Sequence, residues 1–175
     1  MFHLTQHLQL DAELNIKIGD FGLCRRVSDE YQVYLPTTHR ELPFAWMAPE
    51  AIDSEKFTFK NDVWAYGIVM WELITRGLNP YGNMTGNQVL RFLQSGQRLQ
   101  APPYTPEQLY NQIILPCWDE DPERRPSFSQ LLQELDNLVV SLQRNNLQQL
   151  SSRYEKLSPR NVPSIRSQDI FNRYC

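Results

Sequence analysis

At 175 residues, with 41% hydrophobic and 11% aromatic side chains, the chain can bury one core and carry a tail. Residues 1–140 hold 11 basic and 18 acidic side chains, and residues 141–175 hold six and two. The acidic body excludes a nucleic-acid face, and the basic end is too sparse to form a binding patch. Cys24, Cys117 and Cys175 follow no metal-ligand spacing and read as reduced thiols, which points to a cytoplasmic chain. The N-terminus has no basic n-region or apolar h-region, so no signal peptide is expected.

Residues 8–18 read as two short strands. Leu8 and Leu10, then Leu14, Ile16 and Ile18, alternate with polar residues around a turn at Asp11-Ala12-Glu13. Gly19-Asp20-Phe21-Gly22 breaks the second strand and frees the backbone to place Asp20 and Phe21 unusually. Residues 23–45 lack periodicity, and a connection of that length is usually functional. Pro49 suits the first turn of a short helix, Pro49 to Asp53.

The stretch Asp62 to Thr75 is long enough for about four helical turns. Val63, Trp64, Tyr66, Ile68, Val69, Met70, Trp71, Leu73 and Ile74 cover most of its circumference. A helix apolar all round is expected to be buried on every side. Asp62 and Glu72 interrupt it, and it is too short to span a membrane, which takes about 20 apolar residues. It reads as the central post of a helical domain, with Asp62 at its start as an N-cap.

Gly77, Asn79-Pro80 and Gly82 form a turn cluster. Thr85 with Gln88 predicts a capping box for a helix to about Gln94, ended by Gly96. Thr105-Pro106 opens a further helix through Tyr110, Ile113, Ile114 and Trp118, which Pro116 should kink or end. Ser127 with Gln130 caps a last amphipathic helix through Leu142. Residues 143–175, which turn to Ser, Arg, Asn and Pro after Leu150, are expected to be a disordered tail. The fold class is mainly α with a small β-hairpin.

Short strings now line up in order: Asp20-Phe21-Gly22, Ala48-Pro49-Glu50, Asp62-x-Trp64-x-x-Gly67, and Cys117-Trp118 with Arg125-Pro126. The first two stand in the protein-kinase signature set. Together they resemble the C-terminal lobe of a eukaryotic protein kinase over residues 8–142, with an activation segment at 20–50. The resemblance implies that Asp20 is a Mg²⁺ ligand with Phe21 beneath it, and that Asp20, Phe21 and Gly22 edge a nucleotide pocket. A hard oxygen ligand suits Mg²⁺, and phosphoryl transfer needs charge offset on the moving phosphate. It also implies an ion pair between Glu50 and Arg125. Asp62 would accept backbone N–H bonds from a catalytic loop, Trp64 would serve structure, and Gly67 would allow close packing.

The segment Glu41-Leu42-Pro43-Phe44-Ala45-Trp46-Met47-Ala48-Pro49-Glu50 is similar to the tyrosine-kinase form of the substrate-docking loop, with Pro43, Phe44 and Trp46 shaping it. His39-Arg40 and Gly86-Asn87-Gln88-Val89-Leu90 narrow the likeness to ACK-type non-receptor tyrosine kinases. Tyr34 and Tyr31 then fall where such kinases are phosphorylated, with Arg25 and Arg26 as charge partners. The implied activity is transfer of the ATP γ-phosphoryl group to tyrosine on protein substrates, with ATP and Mg²⁺ as cofactors.

The family's H-R-D…N loop should lie just ahead of the hairpin. The register puts Phe2 at its Asp and His7 at its Asn. Phe2 cannot take a proton, and His7 is a poor Mg²⁺ ligand. The Gly-rich loop, the β3 Lys and the αC Glu have no counterpart, so residues 1–7 read as an atypical segment in place of the catalytic loop. Two readings follow: a partial tyrosine kinase domain with no activity of its own, or a non-catalytic pseudokinase-like interaction module. Without the helix that flanks the post in the family, an exposed apolar face is expected to favour self-association.

Overall fold

The computed structural model describes residues 8–19, 43–54, 56–103 and 105–156, with side chains to residue 149. The chain forms two compact units, divided between Leu135 and Asp136. The first holds strands β1 (Leu8–Leu10) and β2 (Ile16–Ile18) and helices α1 (Pro49–Ser54), α2 (Phe59–Ile74), α3 (Gly86–Gln94) and α4 (Glu107–Leu109). It also holds the first turns of α5 (Phe128–Lys156), whose remainder lies in the second unit. The fold is mainly helical with one small hairpin, as the sequence implies.

β1 and β2 pair antiparallel, with Leu8 opposite Ile18 and Leu10 opposite Ile16. The connection is longer than the expected turn. Asp11 Oδ1 accepts from the backbone N–H groups of Glu13 and Asn15, at 3.1 and 2.8 Å. Leu14 sits at φ 65°, so it belongs to this loop and not to the strand assigned to it. The Asn15 backbone N–H is the chief reason that the Asp11 carboxyl is held below its usual range.

α2 starts earlier than the sequence suggests. Thr58 is its N-cap: the Thr58 side chain accepts from Lys60 N, and Asn61 Oδ1 accepts from Thr58 N. Asp62 therefore sits in the first turn and is not the cap. Burial is one-sided. Asn61, Trp64, Ile68 and Glu72, flanked by Val63 and Gly67, form the buried stripe. On the opposite side Phe59 is 60% and Leu73 50% exposed, and Tyr66, Val69 and Met70 are half-buried. Burial on every side is thus corrected: with 3.6 residues per turn, the described elements of this unit cover one face.

α2 meets the segment after α4 at its closest approach. A Cβ on Gly67 would lie 2.6 Å from Trp118 Nε1 and 2.9 Å from Cys117 Cβ. Pro116 shapes that segment. Its ring removes one N–H and clashes with the carbonyl four residues back. The helix accordingly widens to a π-turn at Tyr110–Ile114 and tightens to a 3₁₀ turn at Leu115–Trp118. The Cys117 thiol is buried and donates to Ile113 O at 3.0 Å.

α3 follows Thr85, whose backbone N–H donates to Gln88 Oε1 at 2.8 Å. Gly96, at φ 80°, ends that turn. α5 opens with the expected box, Ser127 N to Gln130 Oε1 at 2.7 Å and Gln130 N to Ser127 Oγ at 3.2 Å. It runs to Lys156, past the Leu142 at which periodicity alone would end it, because no Gly or Pro intervenes before Pro159. The tail beyond Lys156 lies outside the described residues.

Two outcomes follow from this packing. In an exposed helix, Gly→Ala gains about 1 kcal/mol. Gly67→Ala should instead lose about 1–3 kcal/mol, because the methyl has no room against Trp118; urea unfolding measures the sign. Burial pushes the Cys117 thiol from 9.0 up to about 12, and it pushes Tyr66, Tyr81 and Tyr110 upward as well. The unfolded chain then releases these protons first, so stability should fall as pH rises past 9, the thiol's ordinary value. Cys117→Ala should flatten that fall in pH-resolved melts.

Candidate functional site

The candidate site begins where the long connection re-enters the core. Pro43 leads into a 3₁₀ turn, Phe44–Trp46, closed by Trp46 N to Pro43 O at 3.0 Å and Met47 N to Phe44 O at 3.2 Å. Phe44 is exposed, and Trp46, Met47 and Ala48 are buried, so the chain dives from surface to core within this turn. The Trp46 indole N–H donates to Glu72 Oε2 of α2 at 3.1 Å. The Phe44 ring lies against the start of α3, where a Cβ on Gly86 would come 2.9 Å from it. An open cleft of about 220 Å³ runs between this turn and the α2–α3 connection, lined by Phe44, Trp46, Pro80, Met84 and Val89 among others. Of the predicted docking residues, Pro43, Phe44 and Trp46 all line it.

Glu50, in the first turn of α1, faces Arg125. The pair is bidentate: Nη1 to Oε1 is 2.7 Å and Nη2 to Oε2 is 2.9 Å. The Arg125 side chain is fully buried, while that of Glu50 is 26% exposed. Asn61 Nδ2 donates to the same Oε1 at 2.6 Å. Arg125 also donates to Asp119 O at 2.9 Å and Lys60 O at 3.1 Å, and Lys60 Nζ donates back to Arg125 O at 2.7 Å. The guanidinium carbon stands 4.9 Å from the centre of the Trp64 ring. Cation–π attraction of this kind is strongest over indole and gains from exclusion of water.

Residues that the sequence reading passed over complete the knot. Arg98 lies 5.3 Å from the same Trp64 ring, and its Nε donates to Trp118 O at 2.8 Å. Burial, first of all, draws its pKa below the ordinary value. No local pattern marks Arg98 or Glu72. Asn61 stands at the third helical position after Thr58, a capping-box spacing that could have identified it. The indole N–H groups of Trp64 and Trp118 are buried without an acceptor among the described residues.

Asp62 is an exposed residue in the first turn of α2, and partial desolvation of its carboxyl raises its pKa above the ordinary value. The catalytic-loop positions it was expected to meet lie outside the described residues. So do Phe2, His7, Asp20, Phe21, Gly22, Tyr31 and Tyr34. Among the described residues, no three His, Cys, Asp or Glu side chains cluster as a metal site, and no helix is long and apolar enough to cross a membrane.

The burial asymmetry makes the pair testable. Glu50→Ala leaves a fully buried guanidinium without its counter-ion, which should cost about 3–5 kcal/mol in urea unfolding. Because the pair is largely shielded from solvent, added salt should not reproduce that loss.

Comparison with known proteins agrees with this geometry. Residues 5–135 match the family model described as protein tyrosine and serine/threonine kinase. The tyrosine-protein kinase receptor svh-2 of Caenorhabditis elegans is 40% identical over 168 residues, 94% of this chain and 15% of that protein. Tyrosine protein-kinase src-1 of Caenorhabditis elegans is 41% identical over 130 residues, 74% of this chain and 24% of that protein. Human ephrin type-A receptor 8 is 40% identical over 137 residues, 78% of this chain and 14% of that protein. The chain thus spans 14–24% of the length of these relatives. The matched span and the helical fold fit a C-terminal-lobe-like part of a kinase domain. With a family model covering most of its length, the chain belongs to the protein tyrosine and serine/threonine kinase family.

Proposed function

We propose that this chain is the substrate-docking part of a protein tyrosine kinase domain, of the ACK-type non-receptor kind, and that alone it transfers no phosphoryl group. One observation carries the docking role. The turn from Pro43 to Trp46 is seated between α2 and α3 and opens onto a cleft wide enough for a side chain. In the proposed activity, protein tyrosine enters along this turn and accepts the γ-phosphoryl group of ATP. Asp20 is the proposed Mg²⁺ ligand, with Phe21 and Gly22 beside it at the nucleotide. Bound Mg²⁺ supplies charge neutralisation on the phosphates. Tyr34, then Tyr31, are the proposed phosphorylation sites, where added negative charge would meet Arg25 and Arg26.

Phe2 and His7 supply neither the base nor the second metal ligand that the family's catalytic loop provides, which is why inactivity is proposed. The chain's proposed location is cytoplasmic. In the domain arrangement proposed here, residues 1–7 stand in place of the catalytic loop, 8–142 form the lobe and 143–175 a tail. The uncovered face of α2, with Phe59 and Leu73 exposed, favours a second reading: a non-catalytic module that associates through this face.

Purified chain incubated with ATP, Mg²⁺ and a tyrosine peptide should yield no phosphotyrosine, while the peptide shifts the amide resonances of residues 44–47. Phosphotyrosine would overturn the inactivity. Unmoved docking-turn resonances, with sedimentation showing dimers that Leu73→Glu disperses, would favour the second reading.

A further inference from the structure

Glu72 is fully buried and lies on the inner stripe of α2, one turn after Ile68. An apolar residue would be the ordinary occupant of such a position. Exchanging a buried polar partner set for apolar groups of similar volume is often neutral or stabilising, so core stability alone does not account for Glu72. Its geometry does. Its Oε2 accepts from the Trp46 indole N–H at 3.1 Å, across 26 residues of sequence. That bond is one of the interactions Glu72 makes. Indole carries a single N–H and accepts nothing, so one fixed acceptor sets the ring's rotation as well as its depth. Trp46 is in turn two residues from Phe44, whose ring rests on the start of α3.

We infer that Glu72 is a positioning residue for the docking turn, acting through the orientation of Trp46. The inference rests on the docking reading above and deepens it. Glu72 touches no solvent. It holds the indole so that the Pro43–Trp46 backbone keeps one course along the cleft. The bond links the central helix to the turn, and Phe44 on Gly86 limits the turn from the other side.

The test uses the whole chain, ¹⁵N-labelled, as wild type, Glu72→Leu, Glu72→Gln, Trp46→Phe and Glu72→Leu/Trp46→Phe. Glu72→Leu should keep a cooperative melt yet raise amide hydrogen exchange at residues 44–48 about tenfold, the loss of one buried hydrogen bond, and leave α5 unchanged. Glu72→Gln retains an acceptor and should restore most of the protection and the Trp46 indole resonance. Trp46→Phe should loosen the same amides, and the double variant should add nothing. Unchanged exchange in Glu72→Leu, equal loosening in the Leu and Gln variants, or exchange raised equally throughout the core would each overturn the inference. Should Glu72→Leu not fold, Trp46→Phe decides alone: loosening confined to residues 44–48 supports the inference, and no loosening overturns it. A tyrosine peptide added to wild type tests the docking reading separately. If no docking-turn resonance moves, that reading fails while the exchange pattern still judges Glu72.

Discussion

The guanidinium of Arg125 is the constraint on which the rest of the first unit depends. A charge with no solvent contact is tolerated only when it is paired and its donors are satisfied. Here Glu50 takes two of its N–H groups face on, and the carbonyls of Asp119 and Lys60 take others. Each acceptor belongs to a different stretch, so satisfying one side chain fixes α1, the start of α2 and the approach to α5 together. Apolar contacts could hold these elements at similar energy, but they are not directional. A planar fork against a carboxylate sets angles as well as distances. Trp64 supplies the flat wall against which that fork lies, and Arg98 approaches the same ring.

The turn from Pro43 to Trp46 inherits its position from this knot. From Glu50 the chain runs back through buried Ala48 and Met47 to Trp46, with little surface exposed. Only at Phe44 does it surface, already tied to α2 through Glu72 and set against α3. A surface built this way borrows rigidity from the buried elements behind it. That division of labour suits a family whose members share a scaffold and differ in what they bind.

Much of this was legible in the sequence wherever a local rule has one reading. The box at Ser127 and Gln130, the break at Pro116 and the stop at Gly96 were each placed by the chemistry of one or two residues. At Leu14 alternation extends beyond the strand into a loop whose conformation is dictated by the Asp11 side chain. Asp62 has the position of a cap because it precedes the apolar run, but Thr58 competes for that role and wins by pairing with Asn61. The even spread of apolar residues around α2 records hydrophobicity and not the presence of a neighbour, so the side left exposed among the described residues follows from the resemblance and not from the pattern. Glu72, Arg98 and the Lys60–Arg125 exchange join residues 20 to 65 positions apart, and nothing local announces such pairs.

The tryptophans have an optical consequence. The chain has four, and Trp46, Trp64, Trp71 and Trp118 all belong to the first unit. Trp64 and Trp118 are sealed from water, and Trp46 is nearly so. Intrinsic emission therefore watches the knot and the Pro43–Trp46 turn and is blind to most of the long final helix, which holds no tryptophan. A melt followed by fluorescence and one followed by far-ultraviolet dichroism report different parts of this molecule, and a gap between the two curves would be expected from its layout alone.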